Sequence, residues 1–428
     1  MNLKLKIAAN TSVQILGRFI SSGVTFLVTI LVARQFGVEG YGEFTKIMAY
    51  VAYFYLVADF GFNAVVMKEV SGQEKKADKF FSNLLGLRIA VAFTLILLAL
   101  LALNLLPYDS LTGQGFSTLV KTGITIAALT ILTQAIFTTA NLLFQKNLRY
   151  DLSVLAASAG SVLILLLAFF FTSLGAPLQA IVISYVAGGF LMAGLALNFS
   201  HRFLPRIRPA FDFSLWRKIF RQTWPLGLTL VFNLVYFRLD MMMMALLRPN
   251  FEVGIYGLAY KFFEFPLAVA TFAMNSTYPV MLWKVKKSEE ELKKLIKTLI
   301  PALLIFSLLV SLIFIVLAPF LSFIRSDFGS SVMTLRILSL SYPLFFLSAL
   351  FMWALIALGK QKLLVVFYGA SMLLNILLNF IFIPRYGYLA AAVVTDVSEA
   401  VVLLLTGVAT FSAFKAVLKA DKKTTELI

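Results

Sequence analysis

The chain has 428 residues, 61% of them hydrophobic, with 37 lysines and arginines against 20 acids, a net charge of +17 and a mean hydropathy of +0.92. That hydropathy excludes an ordinary soluble globular protein, and the lack of cysteine excludes disulfides, thiol chemistry and thiolate metal sites. The positive balance invites nucleic-acid binding, but the basic residues sit between apolar segments, where membrane topology accounts for them.

Twelve apolar stretches follow one another, at about 10–34, 42–66, 80–106, 117–143, 150–173, 177–199, 222–247, 253–283, 294–318, 332–358, 361–383 and 387–413. Each reaches the ~20 residues a helix needs to cross the hydrocarbon core. The expected fold is therefore an all-α polytopic membrane protein with twelve transmembrane helices. Met1–Lys6 looks like a signal n-region, but the segment after it is too long for a signal core and runs on to Arg34. An uncleaved first helix is expected. Lysine and arginine crowd both tails and the even-numbered connections, with six in 200–221 alone. The odd-numbered connections hold only Arg34, Arg248, Arg325 and Arg385. By the positive-inside rule both termini are cytoplasmic. All four tryptophans (Trp216, Trp224, Trp283, Trp353) fall toward cytoplasmic segment ends, as an interfacial belt requires.

The basic connection at 200–221 divides the chain near its midpoint. Residues 1–199 form an N-terminal six-helix lobe, 200–221 a cytoplasmic linker, and 222–428 a C-terminal six-helix lobe with a basic cytoplasmic tail. Two short similarities support that cut: Tyr41–Lys46 resembles Tyr256–Lys261, and Gln145–Leu148 resembles Gln361–Leu364. Halves of six helices share an orientation, so a pseudo-two-fold axis along the membrane normal is expected. Transporters commonly bind substrate between such repeats. The linker would lie on the inner membrane surface, its arginines toward anionic headgroups. Gly17 and Gly23 interrupt the first span, Pro225 and Gly227 open the seventh, Pro266 breaks the eighth and Pro343 the tenth. These are tolerated kinks or hinges for alternating access; sequence does not separate the two.

Ionisable groups inside spans are costly and face a cavity or a partner. Arg18, Asp59 and Arg88 all lie about eight residues from the cytoplasmic ends of spans one to three, some 12 Å deep at ~1.5 Å per residue. Either Arg18 and Asp59 form an ion pair while Arg88 snorkels inward, or the three make a cationic pocket with Asp59 orienting one arginine. Two guanidinium groups to one acid favour an anionic headgroup, since the guanidinium fork matches phosphate oxygens. In the second half, matching depths predict Asp240–Lys261 and Arg238–Glu264 pairs. These either cross-link helices or leave Arg238 and Lys261 lining the cavity. Asn375, Asn379, Thr395, Asp396 and Glu399 lie near the depth of Asp240. Their oxygens suit a hard cation such as Na⁺, and asparagines equally glue membrane helices together. The run Met241–Met244 reads as adaptable packing, and His201 stands alone in a loop. No phosphate-binding glycine loop, nucleophile elbow or zinc motif is present, so no catalytic residue is assigned and nucleotide hydrolysis is not encoded.

In order along the chain come Ala33-Arg34-Gln35-Phe36-Gly37 with Gly40-Tyr41-Gly42, Asp59-Phe60-Gly61-Phe62 with Lys68-Glu69, and Phe144-Gln145-Lys146 with Arg149-Tyr150. Then follow Arg238-Leu239-Asp240, Val253-Gly254-Ile255-Tyr256, Tyr260-Lys261, Pro279, Asn375 to Asn379, and Ile383-Pro384-Arg385-Tyr386-Gly387. Through these motifs nearly the whole chain resembles the polysaccharide-exporter, Wzx-type O-antigen flippases of the MOP (MATE-like) superfamily.

That resemblance implies a V-shaped pair of six-helix lobes in the cytoplasmic membrane. They would move undecaprenyl-pyrophosphate-linked oligosaccharide from the inner to the outer leaflet. It implies a central cavity with basic residues at Arg18, Arg88, Arg238 and Lys261. By similarity to lipid II flippases it also implies a sodium site at Asp240, Asn375, Asn379 and Thr395. Lipid II flippases have fourteen helices, however, and Asn379 stands where their second acidic ligand is expected, so proton coupling or no coupling stays open. The expected partners are the lipid-linked oligosaccharide, membrane lipids, and a polysaccharide polymerase and glycosyltransferases. No cofactor beyond a coupling Na⁺ or H⁺ and no nucleic acid are expected, and the protein is expected to be a monomer. The rivals are a multidrug, organic-cation antiporter of the same superfamily, a lipid II flippase, and a membrane glycosyltransferase or polymerase. The last would need a carboxylate cluster and larger extramembrane loops.

Overall fold

The computed structural model describes residues 3–58, 60–70, 74–204 and 207–425, and nearly all of them are helical. The first half runs α1 (Leu3–Val57), α2 (Phe62–Val70), α3 (Glu74–Leu105), a small hairpin of β1 (Tyr108–Asp109) and β2 (Gln114–Gly115), α4 (Thr118–Ala127), α5 (Leu129–Lys146), α6 (Tyr150–Ser173) and α7 (Leu178–Ser200). The second runs α8 (Phe213–Leu247), α9 (Asn250–Lys287), α10 (Glu289–Leu317), α11 (Phe320–Ile324), α12 (Gly329–Ser339), α13 (Tyr342–Ala357) and α14 (Gln361–Thr425).

Among the described residues, nine stretches are long and apolar enough to cross a bilayer. One of them, Gln361–Phe414, has 54 residues, roughly 80 Å of helix against ~30 Å of hydrocarbon, so it must hold two spans. It is jointed at Gly387 (φ 59°, ψ −138°), as α1 is at Gly37 (φ 68°, ψ −171°). Both conformations are nearly closed to residues with a Cβ. Dividing these two stretches and adding α8 gives the twelve spans predicted. Apolar side chains such as Leu166 and Phe169 on α6 and Ile305, Leu309 and Leu312 on α10 are exposed. Lipid-facing helices show this pattern, and the chain is a multi-pass membrane protein.

The helix breaks differ from those expected. Phe60 (φ 37°) and Gly61 (φ 71°) hold left-handed backbone, so α1 stops at Val57 and α2 restarts at Phe62 inside the expected second span. The fourth span is divided at Ala128, and the tenth at Leu340–Ser341 beside Pro343. Pro266 does not break the eighth span. α9 runs through both Pro266 and Pro279, because neighbouring helices can make good the single hydrogen bond a proline removes. Gly17 and Gly23 likewise stay helical within α1.

The Gly387 joint is tied to α9 and to the connection that precedes it. Arg248 Nε donates to Glu252 at 2.9 Å, Arg248 Nη1 to the Pro384 carbonyl at 3.1 Å, and the Tyr388 amide to Glu252 at 3.3 Å. A Cβ on residue 387 would collide with the Glu252 carboxylate. Gly387→Ala should therefore lower stability by ~2 kcal/mol through backbone strain and a displaced ion pair. Gly369→Ala, on the same helix with open space around it, should change little. Melting of the two variants in detergent checks this.

Two compact units result: Met1–Val235 with Pro249–Phe251, and Tyr236–Arg248 with Glu252–Ile428. In the first, α6 and α7 approach closely at Gly160 and Gly188, where a Cβ on either would lie 2.6 Å from the other's carbonyl oxygen. The linker packs onto α3 of this unit. Ala210 N–H donates to Ser82 O at 3.0 Å, Asp212 N–H to Asn83 Oδ1 at 2.8 Å, and Lys79 pairs with Asp212 at 2.9 Å. Gly86 lies against the Ala210 carbonyl, where a side chain would collide. Asp212 also caps α8 by accepting from Leu215 N–H at 3.1 Å. The Lys79 hydrogen bond, helped by that amide, holds the Asp212 carboxyl below the usual carboxylate range. The start of α8 is thus fastened to the first unit, and the boundary falls inside α8, whereas the charge pattern placed it at 221/222.

Candidate functional site

In the first unit Arg88 is fully buried on α3. Its Nη2 donates to Asn63 Oδ1 on α2 at 3.0 Å, its Nη1 to Thr139 Oγ1 on α5 at 3.3 Å, and its guanidinium lies 5.9 Å from the Phe62 ring centroid. Arg88 is enclosed by its own lobe and does not snorkel. Asp59 and the Arg18 side chain lie outside the described residues. Lys46, the repeat counterpart of Lys261, is also fully buried, and its Nζ donates to the Gly115 carbonyl of β2 at 2.7 Å.

In the second unit Arg238 pairs with Glu264 at 3.0 Å, as expected. Lys261 does not reach Asp240; it pairs at 3.5 Å with the other oxygen of the same Glu264. The reason is angular. At ~100° per residue Arg238 and Asp240 face nearly opposite sides of α8, while Lys261 and Glu264 share one face of α9. Glu264 therefore serves two cations, and both cationic side chains stay 37% exposed. Asp240, buried, turns instead to the Tyr256 hydroxyl, which donates to it, and to the Met241 amide at 2.7 Å. The Thr395 hydroxyl, which donates to the Ala391 carbonyl at 2.9 Å, lies near the same tyrosine.

The predicted cation ligands separate into groups. Asp240 and Thr395 meet through Tyr256. Asn379 Nδ2 donates to Asn375 Oδ1 at 2.9 Å, and Asn375 Nδ2 to Ser398 Oγ at 3.0 Å. Asn379 Oδ1 is buried without a hydrogen-bond partner among the described residues. Asp396 stands apart beside Ser341, its Oδ1 buried without a hydrogen-bond partner among the described residues, while Glu399, one turn further on, accepts from Ser348. A hard cation wants carboxylate, hydroxyl and amide oxygens, and Asp240, Thr395 and Asn379 offer one of each. Asp396 faces away toward Ser341 and does not join them. Among the described residues no group of three or more His, Cys, Asp or Glu could hold a metal ion.

Tyr256, Asn63, Thr139 and Ser398 were not singled out from the sequence for a role at these sites. A buried tyrosine needs a partner for its hydroxyl, and Asn63 lies one turn beyond Asp59, so each carried a weak signal. Thr139 and Ser398 carried none, because hydroxyls in membrane helices usually bond their own backbone.

Residues 7–283 match the family described as polysaccharide biosynthesis protein, and residues 225–381 the family described as MatE. No curated protein matches the chain. Among solved structures, "Lipid II flippase MurJ, inward closed conformation" is 17% identical over 93% of this chain and 86% of that one, with a TM-score of 0.76. An inward-facing multidrug resistance MATE family transporter of the MOP superfamily is 11% identical over 93% and 96%, with a TM-score of 0.74. An outward-facing structure of such a transporter is 16% identical over 97% and 95%, at 0.61. At these identities the likeness shows a shared fold.

Proposed function

The chain belongs to the polysaccharide biosynthesis protein family, and from that premise we propose that it is a flippase for a lipid-linked oligosaccharide. The cargo is an undecaprenyl-pyrophosphate-linked repeat unit of O-antigen or another surface polysaccharide. It passes from the inner to the outer leaflet of the cytoplasmic membrane by alternating access. Glycosyltransferases supply it and a polymerase consumes it.

The observation that carries this is Arg238 and Lys261, two cations on membrane-spanning helices that share Glu264 and remain over a third exposed. Charge at that depth must face water or a ligand, and an excess of guanidinium and ammonium donors suits a pyrophosphate. The glycan needs a hydrated route while the lipid tail stays in the bilayer. The basic connections favour both termini on the cytoplasmic side. Asp240, Thr395, Asn375 and Asn379 would hold a coupling Na⁺, whose gradient would supply the driving force; proton coupling through Asp240 is the alternative.

An organic-cation antiporter would instead need an acidic excess at Arg238 and Lys261. Liposomes containing the protein and a fluorescent pyrophosphate-linked oligosaccharide separate the two. Arg238→Ala and Lys261→Ala should each slow translocation about tenfold, the worth of one charge-assisted contact, while Glu264→Gln should keep it. Unchanged turnover in both folded alanine variants, or movement of lipophilic cations without the pyrophosphate lipid, would overturn the proposal.

A further inference from the structure

We propose that the first turns of α8 bind the phosphate of an anionic phospholipid in the leaflet facing the basic connections. This rests on the local geometry and on membrane insertion, and not on the identity of the transported cargo.

Arg217, Lys218 and Arg221, with Ser214 and Gln222, line a cavity of about 460 Å³. Glu69 of α2 reaches the same group. Its Oε2 accepts from Lys218 Nζ at 2.9 Å and its Oε1 from Gln222 Nε2 at 3.2 Å. The Lys218 hydrogen bond, with that of Gln222, holds the Glu69 carboxyl below the usual carboxylate range, so it is ionised at neutral pH. Glu69 is thus occupied by Lys218 and Gln222, and one acid compensates one of three cations. Arg217 and Arg221 have no carboxylate partner among the described residues. They are one helical turn apart, about 5–6 Å between Cβ atoms, a spacing that one phosphate can bridge.

The surroundings identify the phosphate's source. Phe213 is 73% exposed, and Phe220 and Trp224 are each 49% exposed. They lie seven and then four residues apart, on one face of the same helix, which continues into the seventh span. Cations beside aromatic side chains where a span meets the membrane surface are an interfacial pattern, matching headgroup phosphate and upper acyl chain together. A free phosphate ion would make no use of the aromatics. The platform is fixed: Asp212 caps it, Ile219 and Thr223 are buried, and Phe220 stacks on Phe60 at 5.6 Å with planes 6° apart.

The test is native mass spectrometry of the full chain released from nanodiscs of mixed phosphatidylglycerol and phosphatidylcholine. Wild type should retain phosphatidylglycerol preferentially, and Arg217→Ala/Arg221→Ala should reduce that retention about tenfold or more. Lys286→Ala/Lys287→Ala, in another basic connection, should leave it unchanged, and Glu69→Gln, which releases Lys218, should raise it. Equal retention of phosphatidylcholine by wild type, or full retention by the folded double arginine variant, would sink the proposal. So would displacement of the retained phosphatidylglycerol by equimolar undecaprenyl pyrophosphate, which would reassign the pocket to the cargo's headgroup. Failure of translocation alone changes none of these readouts.

Discussion

Arg88→Ala should cost about 3 kcal/mol or more and eliminate transport with it. A fully buried arginine has no water to fall back on, so its hydrogen bonds to Asn63 and Thr139 and its position over Phe62 make the burial tolerable. Truncation leaves a cavity and strands polar groups on α2 and α5, each a separate penalty. The damage concentrates on α2, whose nine residues are far too few to hold a helix unaided. Its N-terminal end is detached from α1 by the left-handed turn at Phe60–Gly61. Arg88→Lys should fall in between, because an ammonium cannot fork to two helices in fixed geometry. Asn63→Ala and Thr139→Ala should each cost about 1–2 kcal/mol. Melting in detergent beside the translocation assay reads both effects. An Arg88→Ala protein that melts like wild type would show that the guanidinium does not stitch α3 to α2 and α5.

The number of spans was legible because hydropathy and basic residues report it independently: twelve apolar stretches and a charge bias that alternates with them. Joints were harder. Pro266 has the stronger reputation as a breaker, yet α9 passes through it, while Gly37 and Gly387 turn the chain. What decides is whether the backbone must enter a region closed to a Cβ, and that depends on tertiary neighbours such as Glu252. The same limit applied to charges. Depth along a span follows from counting residues, and it paired Arg238 with Glu264 correctly. It also paired Asp240 with Lys261, wrongly, because depth ignores direction around the helix. A two-residue step turns Asp240 almost fully away from Arg238, onto Tyr256. Thr395 and Asp396, adjacent in sequence, likewise diverge by ~100°, one toward Tyr256 and the other toward Ser341.

That divergence underlies the second large effect. Asp240→Asn should abolish concentrative transport, so that cargo equilibrates between leaflets under an imposed Na⁺ or pH gradient that drives accumulation by the wild type. The substitution is close to isosteric, and an amide oxygen can still accept from Tyr256, so the fold should survive while the charge is lost. Coupling requires an ion to favour one conformation over another, typically by about 1–3 kcal/mol; a neutral residue 240 removes the carboxylate that could supply this difference. Thr395→Val, which takes away a hydroxyl beside the same tyrosine, should weaken coupling partially. Asp396→Asn is the discriminating control. A grouping by depth alone places Asp396 with Asp240, whereas it lies beside Ser341 and not at Tyr256, so this variant should remain coupled. Proteoliposomes with defined internal and external ions give the readout directly. Should Asp396→Asn uncouple the transporter while Asp240→Asn concentrates cargo normally, the ion would belong on the α12–α13 side of α14, and the Asp240–Tyr256–Thr395 cluster would be no more than a packing contact.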